Sequence, residues 1–569
     1  MKTNFSIRED KFNIILLLIL LSGFLVRIHG ISFGEPFLYH IDEWKLVNRA
    51  GHLLDIKNFY NSIFLQAALY PPFFIYILAF AFGIYGGLGL LFGSFSSIGA
   101  ISDFYRSDPF VFHLIGRYIS AFMGTATIFF TYLIGKEIFN KKIGLLGALF
   151  LSFTFVHVRS SHYSTVDIPT TFFIAIVFLF VILIYKTGSL KYYLLAGVFC
   201  AIAIATKFTV GFIAITFFVA HFLRSNDENL SFKRSLLDKR LFYGISLLSL
   251  TFVILCPFLL VNSGLFLDNT TKIASTVIKG RIGYYWGHGF FSYITGDQWP
   301  GFSHFARNSF AGGMGLHMTI FSIAGAFITG LRLSKKNLLF LSFPVIHFIA
   351  LSLMSYKAMR NMLPIMPFLV LMASAFIYFT IEKIPLLKKR FNQVLIMISI
   401  GCVIPMIADS IVIGHGLKLQ ETRTLAKQWV ESNIPAGAKI AVESKPPQLY
   451  NTNPEFTIIG PRITKSDSDS PTFHLVDSGW FLFSYAPDEP VDFDPIEEVK
   501  KKDVDYVILD NWTMDRFYLP KAVSEYPIKT AQRHRFYDWV RTNCLAIKKF
   551  EPIPKRSIGP TIEVYKIKK

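Results

Sequence analysis

The chain has 569 residues, of which 52% are hydrophobic and only 17% are charged, and its mean hydropathy is +0.45. A soluble globular protein carries about 25% charged residues, so this composition excludes a soluble protein. In a soluble protein the formal net charge of +19 would suggest a nucleic-acid partner, but here the Lys and Arg residues cluster between apolar segments. That pattern indicates membrane topology, and we expect no nucleic-acid partner.

The first apolar run, from Phe12 to Ile28, follows a basic start and superficially resembles a signal peptide. No small-x-small cleavage site follows the run, so we predict a retained transmembrane helix. Further spans are predicted at about 113–135, 143–158, 168–186, 192–206, 208–223, 241–262, 314–331, 338–355, 361–381 and 393–413, which gives about eleven in total.

Basic clusters occur at the N-terminus and in alternate connecting segments, at 136–142, 186–191, 224–240, 332–336 and 383–390. The positive-inside rule places these clusters in the cytoplasm. The intervening loops then lie on the extracytoplasmic side, outside the plasma membrane if the organism is a prokaryote. Because an odd number of spans separates the two ends, the C-terminal region lies on that outer side as well.

Residues 73–92 do not fit this count. The segment is apolar enough to span, but an additional span would invert the basic clusters that follow. We therefore interpret Tyr70-Pro71-Pro72 and the glycine-rich run after it as a re-entrant or membrane-surface element.

Three of the predicted outer loops are unusual. The first, residues 30–112, is long, and the second, residues 159–167, is short and polar. The third, residues 262–313, is rich in aromatic, glycine and titratable residues. Loops longer than about fifteen residues are usually functional or disordered, and this one is too aromatic to be disordered.

The composition changes to that of a soluble domain at about residue 414. Residues 422–432 predict a helix, and short β-like runs bounded by turn residues follow at 439–443, 504–510 and 561–567. We therefore predict two domains: a transmembrane domain over residues 1–413 and a small extracytoplasmic α/β domain over residues 414–569.

Two adjacent carboxylates, Asp42 and Glu43, stand in the first outer loop. Charges close to a hydrocarbon boundary are costly unless they are solvated, paired or functional. The alternative is structural, because Asp42 opens an amphipathic run and is suited to be a helix N-cap. Asp167 allows the same two interpretations, since Pro169 follows it at a spacing typical of a first helical turn.

A synthetic enzyme on the outer side has no ready supply of nucleotide-activated substrates, so it needs a donor delivered by the membrane. A lipid-linked phosphate ester meets this need. Its chemistry requires a base for the acceptor hydroxyl, cations for the leaving phosphate and an apolar groove for the lipid. Asp42 is the first candidate base, and Glu43 and Asp167 are the other carboxylates predicted on the same side.

The candidate phosphate ligands are Arg117, Lys207 and Arg360, each at the outer end of a predicted helix. Arg117 is the preferred ligand, because a guanidinium group binds phosphate oxygens through a bidentate fork. The alternative for each of the three is a side chain that extends to the membrane interface without binding a substrate.

Four histidines on the predicted outer side, His40, His162, His288 and His304, follow no metal-ligand spacing. We therefore assign no cofactor from the sequence, and a divalent cation stays open.

Several segments together carry a family resemblance: Asp42-Glu43, Gly116-Arg117-Tyr-Ile-Ser120, the basic turn at 135–142, Asp167-Ile-Pro169 and Arg360-Asn-Met-Leu-Pro364-Ile-Met-Pro367. In their order and topological side they resemble the GT-C glycosyltransferases. Within these, the likeness is to the dolichyl-phosphate-mannose protein mannosyltransferase and aminoarabinose transferase superfamily, and it covers roughly residues 10–410.

That resemblance implies a polytopic enzyme that transfers a sugar, with inversion, from a polyprenyl-phosphate donor to an acceptor hydroxyl on the outer face. It implies that Asp42 is the catalytic base with Glu43 as its companion, that Arg117 binds the donor phosphate, and that Asp167 is a second acidic residue. The third outer loop matches nothing in the family. A protein, a glycolipid and a polysaccharide are therefore all open as acceptors.

Two other classes of protein are alternatives: a transporter or flippase of lipid-linked sugars, and a structural membrane subunit with a receptor-like outer domain. Transporters usually place charges near the bilayer midplane and often contain repeated halves. Here the carboxylates stand in outer loops and the sequence has no internal repeat, which favours the enzyme.

Overall fold

The computed structural model describes residues 2–54, 71–261, 305–332, 334–352, 358–443, 447–452, 471–478, 493–518, 523, 527–554 and 556–568. The chain forms two compact units. The first comprises Met1–Ile31, Leu46–Leu88 and His113–Gly414, and the second comprises Ser32–Lys45, Gly89–Phe112 and His415–Lys569. Most of the third outer loop predicted at 262–313 lies outside the described residues, including His288 and His304.

The described part of the chain up to residue 418 is helical. Its α-helices are α1 (Lys2–Ile28), α2 (Ile41–Leu53), α3 (Phe73–Leu91), α4 (Ile98–Ser107), α5 (Phe110–Ile138), α6 (Lys141–Ser152), α7 (Phe155–Ser161), α8 (Asp167–Thr187), α9 (Leu190–Thr206), α10 (Ile213–Asp227), α11 (Phe232–Leu236), α12 (Lys239–Leu255), α13 (Phe258–Val261), α14 (Gly312–Met314), α15 (Leu316–Leu331), α16 (Lys335–Ser352), α17 (Met366–Lys383), α18 (Pro385–Lys388) and α19 (Phe391–Lys418). Short 3₁₀ segments at Phe208–Val210 and Met359–Ile365 precede α10 and α17, and a π-helical segment at Phe305–Ala311 precedes α14.

Seven helices within the described residues are long and apolar enough to cross a membrane, or up to nine if each of two bent pairs forms one span. This confirms a polytopic α-helical membrane fold, while the number of about eleven spans stays a prediction. The apolar side chains of these helices pack into one large buried core.

The segment predicted as a re-entrant or surface element forms α3, a continuous helix of 19 residues. Such a helix is about 28 Å long, which is close to the hydrocarbon thickness of a bilayer. Pro71 and Pro72 precede the first helical residue, so they start the helix and do not interrupt it. The re-entrant form is therefore corrected to one uninterrupted apolar helix.

The span predicted at 143–158 is broken into α6 and α7, which are bent by 60°. No proline or glycine stands at the break, which falls at Phe153 and Thr154. Arg27 of α1 stabilises the broken end, because its guanidinium donates to the carbonyl oxygens of Ser152 at 2.9 Å and Leu151 at 3.2 Å. Both carbonyls lie in the last turn of α6, where a helix has fewer backbone donors for its carbonyls and an apolar bundle offers few others.

A second break separates α14 from α15, where the helix axis turns by 114°. Gly315 lies at this bend with φ of +90°, a conformation that residues with a side chain rarely adopt. The span predicted at 314–331 therefore begins at Leu316, after a sharp turn of the backbone.

Two glycines allow close contact between neighbouring helices. A side chain at Gly325 of α15 would collide with the backbone carbonyl of Met372 on α17, and one at Gly197 of α9 would collide with the carbonyl of Gly244 on α12. Small residues at such positions let helix backbones approach, which is how apolar helices gain packing energy inside a membrane.

The second unit contains the α/β domain. Its elements after α19 are β1 (Gln420–Glu421), α20 (Thr422–Asn433), β2 (Lys439–Val442), β3 (Tyr450–Asn451), β4 (Thr472–Asp477), α21 (Pro495–Lys501), β5 (Tyr506–Asp510), α22 (Asn511–Tyr518), α23 (Pro527–Asn543), β6 (Cys544–Phe550), β7 (Ser557–Ile558) and β8 (Ile562–Ile567). The main sheet has the order β3-β4-β2-β5-β8-β6. Strands β3, β4, β2 and β5 are parallel, whereas β8 is antiparallel to both β5 and β6.

The predicted helix at 422–432 and the predicted strands at 439–443, 504–510 and 561–567 are confirmed as α20, β2, β5 and β8. Strand β5 is buried along its whole length, as expected for a strand covered on both faces. The sequence did not predict β4, β6 or α23.

A buried ion pair lies where the parallel strands end. Arg533 of α23 donates to the Glu443 carboxylate after β2 and, at 2.9 Å, to the carbonyl of Ser478 after β4. The Tyr537 hydroxyl donates to the same carboxylate oxygen at 2.9 Å. Burial raises the pKa of the Glu443 carboxyl, and the Arg533 charge lowers this pKa by a smaller amount. The pair fixes α23 against this edge of the sheet.

We predict that Gly325→Ala destabilises the membrane unit, because the added methyl group meets a backbone carbonyl that cannot move aside. Overpacking of this kind costs about 1–3 kcal/mol, and it should lower the apparent melting temperature in detergent or nanodiscs. Gly401→Ala is the matched control, since a methyl group there meets no atom within 4 Å. Equal melting temperatures for the two variants would contradict the close contact.

Candidate functional site

Asp167 begins α8 and is 5% exposed. The helix N-cap is Val166, so the N-cap interpretation of Asp167 is corrected: Asp167 is the first residue of the helix. Instead it accepts hydrogen bonds from Lys207 Nζ at 2.7 Å and from Thr165 Oγ1 at 3.3 Å. A carboxylate in the first helical turn also interacts favourably with the helix dipole.

Two of the predicted cations meet at this carboxylate. Lys207 follows the last residue of α9, and its ammonium group pairs with Asp167 Oδ1. Arg360 lies in the 3₁₀ segment before α17, and its Nε is 3.8 Å from Asp167 Oδ2. The side chain of Arg360 is 36% exposed and that of Lys207 is 16% exposed. The guanidinium is therefore the group of this cluster that a ligand reaches most readily.

Two further residues support the cations. Asn361 Oδ1 accepts a second hydrogen bond from Lys207 Nζ at 3.4 Å. His347 of α16 is fully buried, and its Nε2 donates to the Asn361 carbonyl at 3.0 Å. The donor role of Nε2 follows from its partner, because a carbonyl only accepts. The ends of α8 and α9, the 3₁₀ segment and α16 thus fix the cluster from several directions.

Arg117 lies in the second turn of α5 and is fully buried. Its Nη1 donates to the carbonyl of Ile31 at 2.9 Å. The neighbouring Gly116 packs tightly against Ser164 in the segment that leads to Asp167, and a side chain at Gly116 would collide with it. A guanidinium committed to a backbone carbonyl is a less accessible phosphate ligand than Arg360.

Asp42 and Glu43 both lie in the first turn of α2, which begins at Ile41. His40 occupies the cap position, and its Nδ1 accepts from the Glu43 amide at 3.3 Å. The structural alternative, in which Asp42 is the N-cap, is therefore corrected. Successive helical residues point about 100° apart, so the two carboxylates face different directions. Glu43 is 1% exposed and Asp42 is only half-buried, which makes Asp42 the more accessible of the two.

The structure thus brings three of the six predicted site residues together, namely Asp167, Lys207 and Arg360. Arg117 belongs to the same compact unit, whereas Asp42 and Glu43 belong to the second unit. His347 and Asn361 are not among the residues predicted from the sequence. A lone ionisable residue in an apolar span, as His347 is, was the available signal.

Of the four histidines considered as metal ligands, His40 and His162 lie in the described part of the chain, and both make other contacts. His162 has its two ring nitrogens 2.9 Å and 3.1 Å from the carbonyls of Val158 and His29, and His40 caps α2. Within the described residues, no three His, Cys, Asp or Glu side chains are grouped as a metal site would need.

These features define a polytopic α-helical membrane protein that has the fold of the GT-C glycosyltransferases and a small α/β domain. Residues 113–260 match the sequence model of the dolichyl-phosphate-mannose-protein mannosyltransferase family. The resemblance identified in the sequence is therefore confirmed. No curated protein matches the chain at a significant level.

Solved structures show the same fold. The oligosaccharyltransferase of Archaeoglobus fulgidus in its apo form has a TM-score of 0.52 and 13% identity, covering 90% of this chain and 72% of that chain. The same enzyme in complex with an inhibitory peptide and a dolichol-phosphate has a TM-score of 0.50 and 14% identity, covering 96% and 74%. ArnT from Cupriavidus metallidurans bound to undecaprenyl phosphate has a TM-score of 0.51 and 11% identity, covering 97% and 98%.

We predict strong energetic coupling between Asp167 and Lys207. Removing one partner of a buried pair leaves an uncompensated charge and costs about 3–5 kcal/mol. We therefore propose a double-mutant cycle of Asp167→Asn and Lys207→Met. The double variant should lose less free energy of unfolding than the two single variants lose together, by about 1–3 kcal/mol. Chemical unfolding of the purified protein measures each corner of the cycle.

The matched control for this cycle is the pair formed by Glu137 and Lys186, whose side chains are 23% and 38% exposed. Exposed pairs couple by about 0.2–1 kcal/mol. Equal coupling in the two cycles would show that the Asp167 pair is no more than a solvated contact.

Proposed function

We propose that this protein is a glycosyltransferase that moves a sugar from a polyprenyl-phosphate donor to an acceptor hydroxyl on the extracytoplasmic face. The acceptor belongs to a protein, a glycolipid or a polysaccharide. The observation that carries the proposal is the convergence of Lys207 and Arg360 on one buried carboxylate, at the ends of helices of a GT-C fold.

The comparisons support a lipid-linked donor. Two proteins with this fold have been solved with polyprenyl phosphates, one with a dolichol-phosphate and the other with undecaprenyl phosphate. A polyprenyl phosphate needs cations for its head group and apolar surface for its chain. The clustered cations and the exposed apolar side chains of the long helices provide the two kinds of surface.

The proposal assigns the donor phosphate to Lys207 and Arg360. Asp167 holds both cations in place before any ligand binds, so little reorganisation is needed when negative charge builds up on the leaving phosphate. A phosphomonoester is largely ionised near neutral pH, because its second pKa is about 6. The leaving group therefore needs charge stabilisation more than it needs a proton from a general acid.

The proposal assigns the acceptor to Asp42. As the bond between the anomeric carbon and the phosphate oxygen breaks, the acceptor oxygen forms the new bond and its proton passes to the Asp42 carboxylate. A single displacement of this kind inverts the anomeric centre. The greater exposure of Asp42 favours it over Glu43, which is the companion carboxylate.

A flippase for lipid-linked sugars is the second candidate, and the two bent helix pairs favour it. Discontinuous helices line the substrate sites of many transporters. A flippase moves the lipid-linked sugar intact, whereas a glycosyltransferase consumes it and releases polyprenyl phosphate. Incubating the purified protein with labelled polyprenyl-phosphate sugars and candidate acceptors distinguishes the two.

We predict that Asp42→Asn abolishes transfer, because an amide cannot accept the acceptor proton. General-base catalysis contributes about 10²–10⁴-fold to a rate, so the rate at which labelled polyprenyl phosphate is released should fall by about a hundredfold or more. Asp103→Asn is the matched control, since this carboxylate of α4 has a side chain that is 77% exposed. Turnover of folded Asp42→Asn protein at the wild-type rate would exclude Asp42 as the base.

We predict that Arg360→Ala weakens donor binding. Hydrogen bonds to charged groups contribute about 1.5–3 kcal/mol, so the Kd for polyprenyl phosphate should rise by about tenfold to a hundredfold. Arg159→Ala is the control, because Arg159 is exposed on α7 and lies in the short polar loop predicted on the same side. An unchanged Kd in Arg360→Ala would remove Arg360 from the phosphate site.

A further inference from the structure

The segment just before the carboxylate pair is fixed by one glutamine of the α/β domain. The side-chain amide of Gln448 bonds both backbone groups of Leu38: its Oε1 accepts from the Leu38 amide at 3.2 Å, and its Nε2 donates to the Leu38 carbonyl at 2.6 Å. The two residues are 410 positions apart in the sequence. Gln448 thus pairs with Leu38 much as a neighbouring β-strand would.

The residues on both sides of Leu38 are fixed by helix α20. The Tyr39 hydroxyl hydrogen-bonds the Thr424 hydroxyl at 2.5 Å, and the Arg423 guanidinium lies 4.2 Å from the centre of the Tyr39 ring. Lys427, one turn further along α20, lies 5.5 Å from the ring centre of Phe37. Three consecutive residues, 37 to 39, therefore contact four side chains of the α/β domain.

This anchored segment leads directly into the start of α2. His40 follows Tyr39 and caps the helix, and Asp42 is four residues after Leu38. All of these residues belong to the same compact unit. The backbone path into the first helical turn, and with it the direction of the Asp42 side chain, is therefore set by the contacts of residues 37 to 39.

We infer that Gln448 is a positioning residue for sugar transfer, which holds the segment that carries Asp42 in its reactive arrangement; this inference rests on the proposed function. The chemistry of the contact is specific. Only a group that donates and accepts at once can bond an amide and a carbonyl of the same residue. A misplacement of about 1 Å at a reacting group costs about a hundredfold in rate. The α/β domain is in this respect part of the catalytic apparatus.

The test is Gln448→Glu, which keeps the shape of the side chain and removes its donor. At pH 8 the Glu carboxylate faces the Leu38 carbonyl without a proton between them, so kcat should fall about tenfold or more while KM for the donor changes little. Below its pKa, which is near 4.3 for a free Glu and higher beside a carbonyl acceptor, the acid form donates again. The ratio of kcat in the variant to kcat in the wild type should therefore rise from pH 8 to pH 5.

Protonation of the new carboxylate would also restore any stability that its charge removes, so kcat is expressed per folded enzyme, measured at each pH. The protonation of Asp42 itself cancels in the ratio to wild type. Gln428→Glu is the matched control, because Gln428 is exposed on α20 of the same domain. It should leave kcat and its pH dependence unchanged. For Gln448→Glu, a ratio of variant to wild-type kcat that stays at one, or that does not change with pH, would overturn the inference.

Hydrogen exchange of the full-length protein provides a readout that does not depend on activity. Peptides covering residues 32–45 should exchange faster in Gln448→Glu than in wild type at pH 8, and Gln428→Glu should match wild type. Unchanged exchange in Gln448→Glu would overturn the anchoring. If wild-type protein consumes none of the polyprenyl-phosphate sugars, the proposed function fails, and the exchange data alone then decide whether Gln448 anchors this segment.

Discussion

Arg27 is a fully buried guanidinium in an apolar helix bundle, and it joins α1 to the end of α6 by donating to the carbonyls of Leu151 and Ser152. A helix that ends in an apolar environment leaves backbone carbonyls without partners, which is costly. At the break between α6 and α7, α1 provides a cation for the carbonyls of Leu151 and Ser152 and so stabilises it. The cation in turn is tolerated because the broken helix surrounds it with acceptors.

The same requirement shapes the candidate site. Asp167 is almost fully buried, and its charge is balanced by cations that come from the ends of α9 and of the 3₁₀ segment before α17. Helix ends are where a membrane protein can place charge at low cost, since the backbone there already needs polar partners. The arrangement that stabilises the fold is therefore also the one to which we assign the donor phosphate.

The α/β domain contacts the segment that carries the two adjacent carboxylates. It shares a compact unit with residues 32–45, which carry Asp42 and Glu43, and it fixes residues 37 to 39 by direct contacts. Its own core depends on a buried pair of Glu443 and Arg533 that joins α23 to the sheet.

The sequence by itself determined the membrane class, because long apolar segments and clustered cations have no other stable arrangement, and it selected the six candidate residues from charges placed next to such segments. It also predicted α20 and the strands β2, β5 and β8, whose apolar runs lie between clear turn signals. The breaks after Ser152 and at Gly315, and the uninterrupted course of α3, were decided by tertiary contacts and backbone conformation that hydropathy does not register. Only the tertiary structure joined Asp167 to Lys207 and Arg360, moved the cap of α2 to His40 and joined Leu38 to Gln448, because hydrogen bonds and ion pairs form between groups that are close in space whatever their separation in the chain.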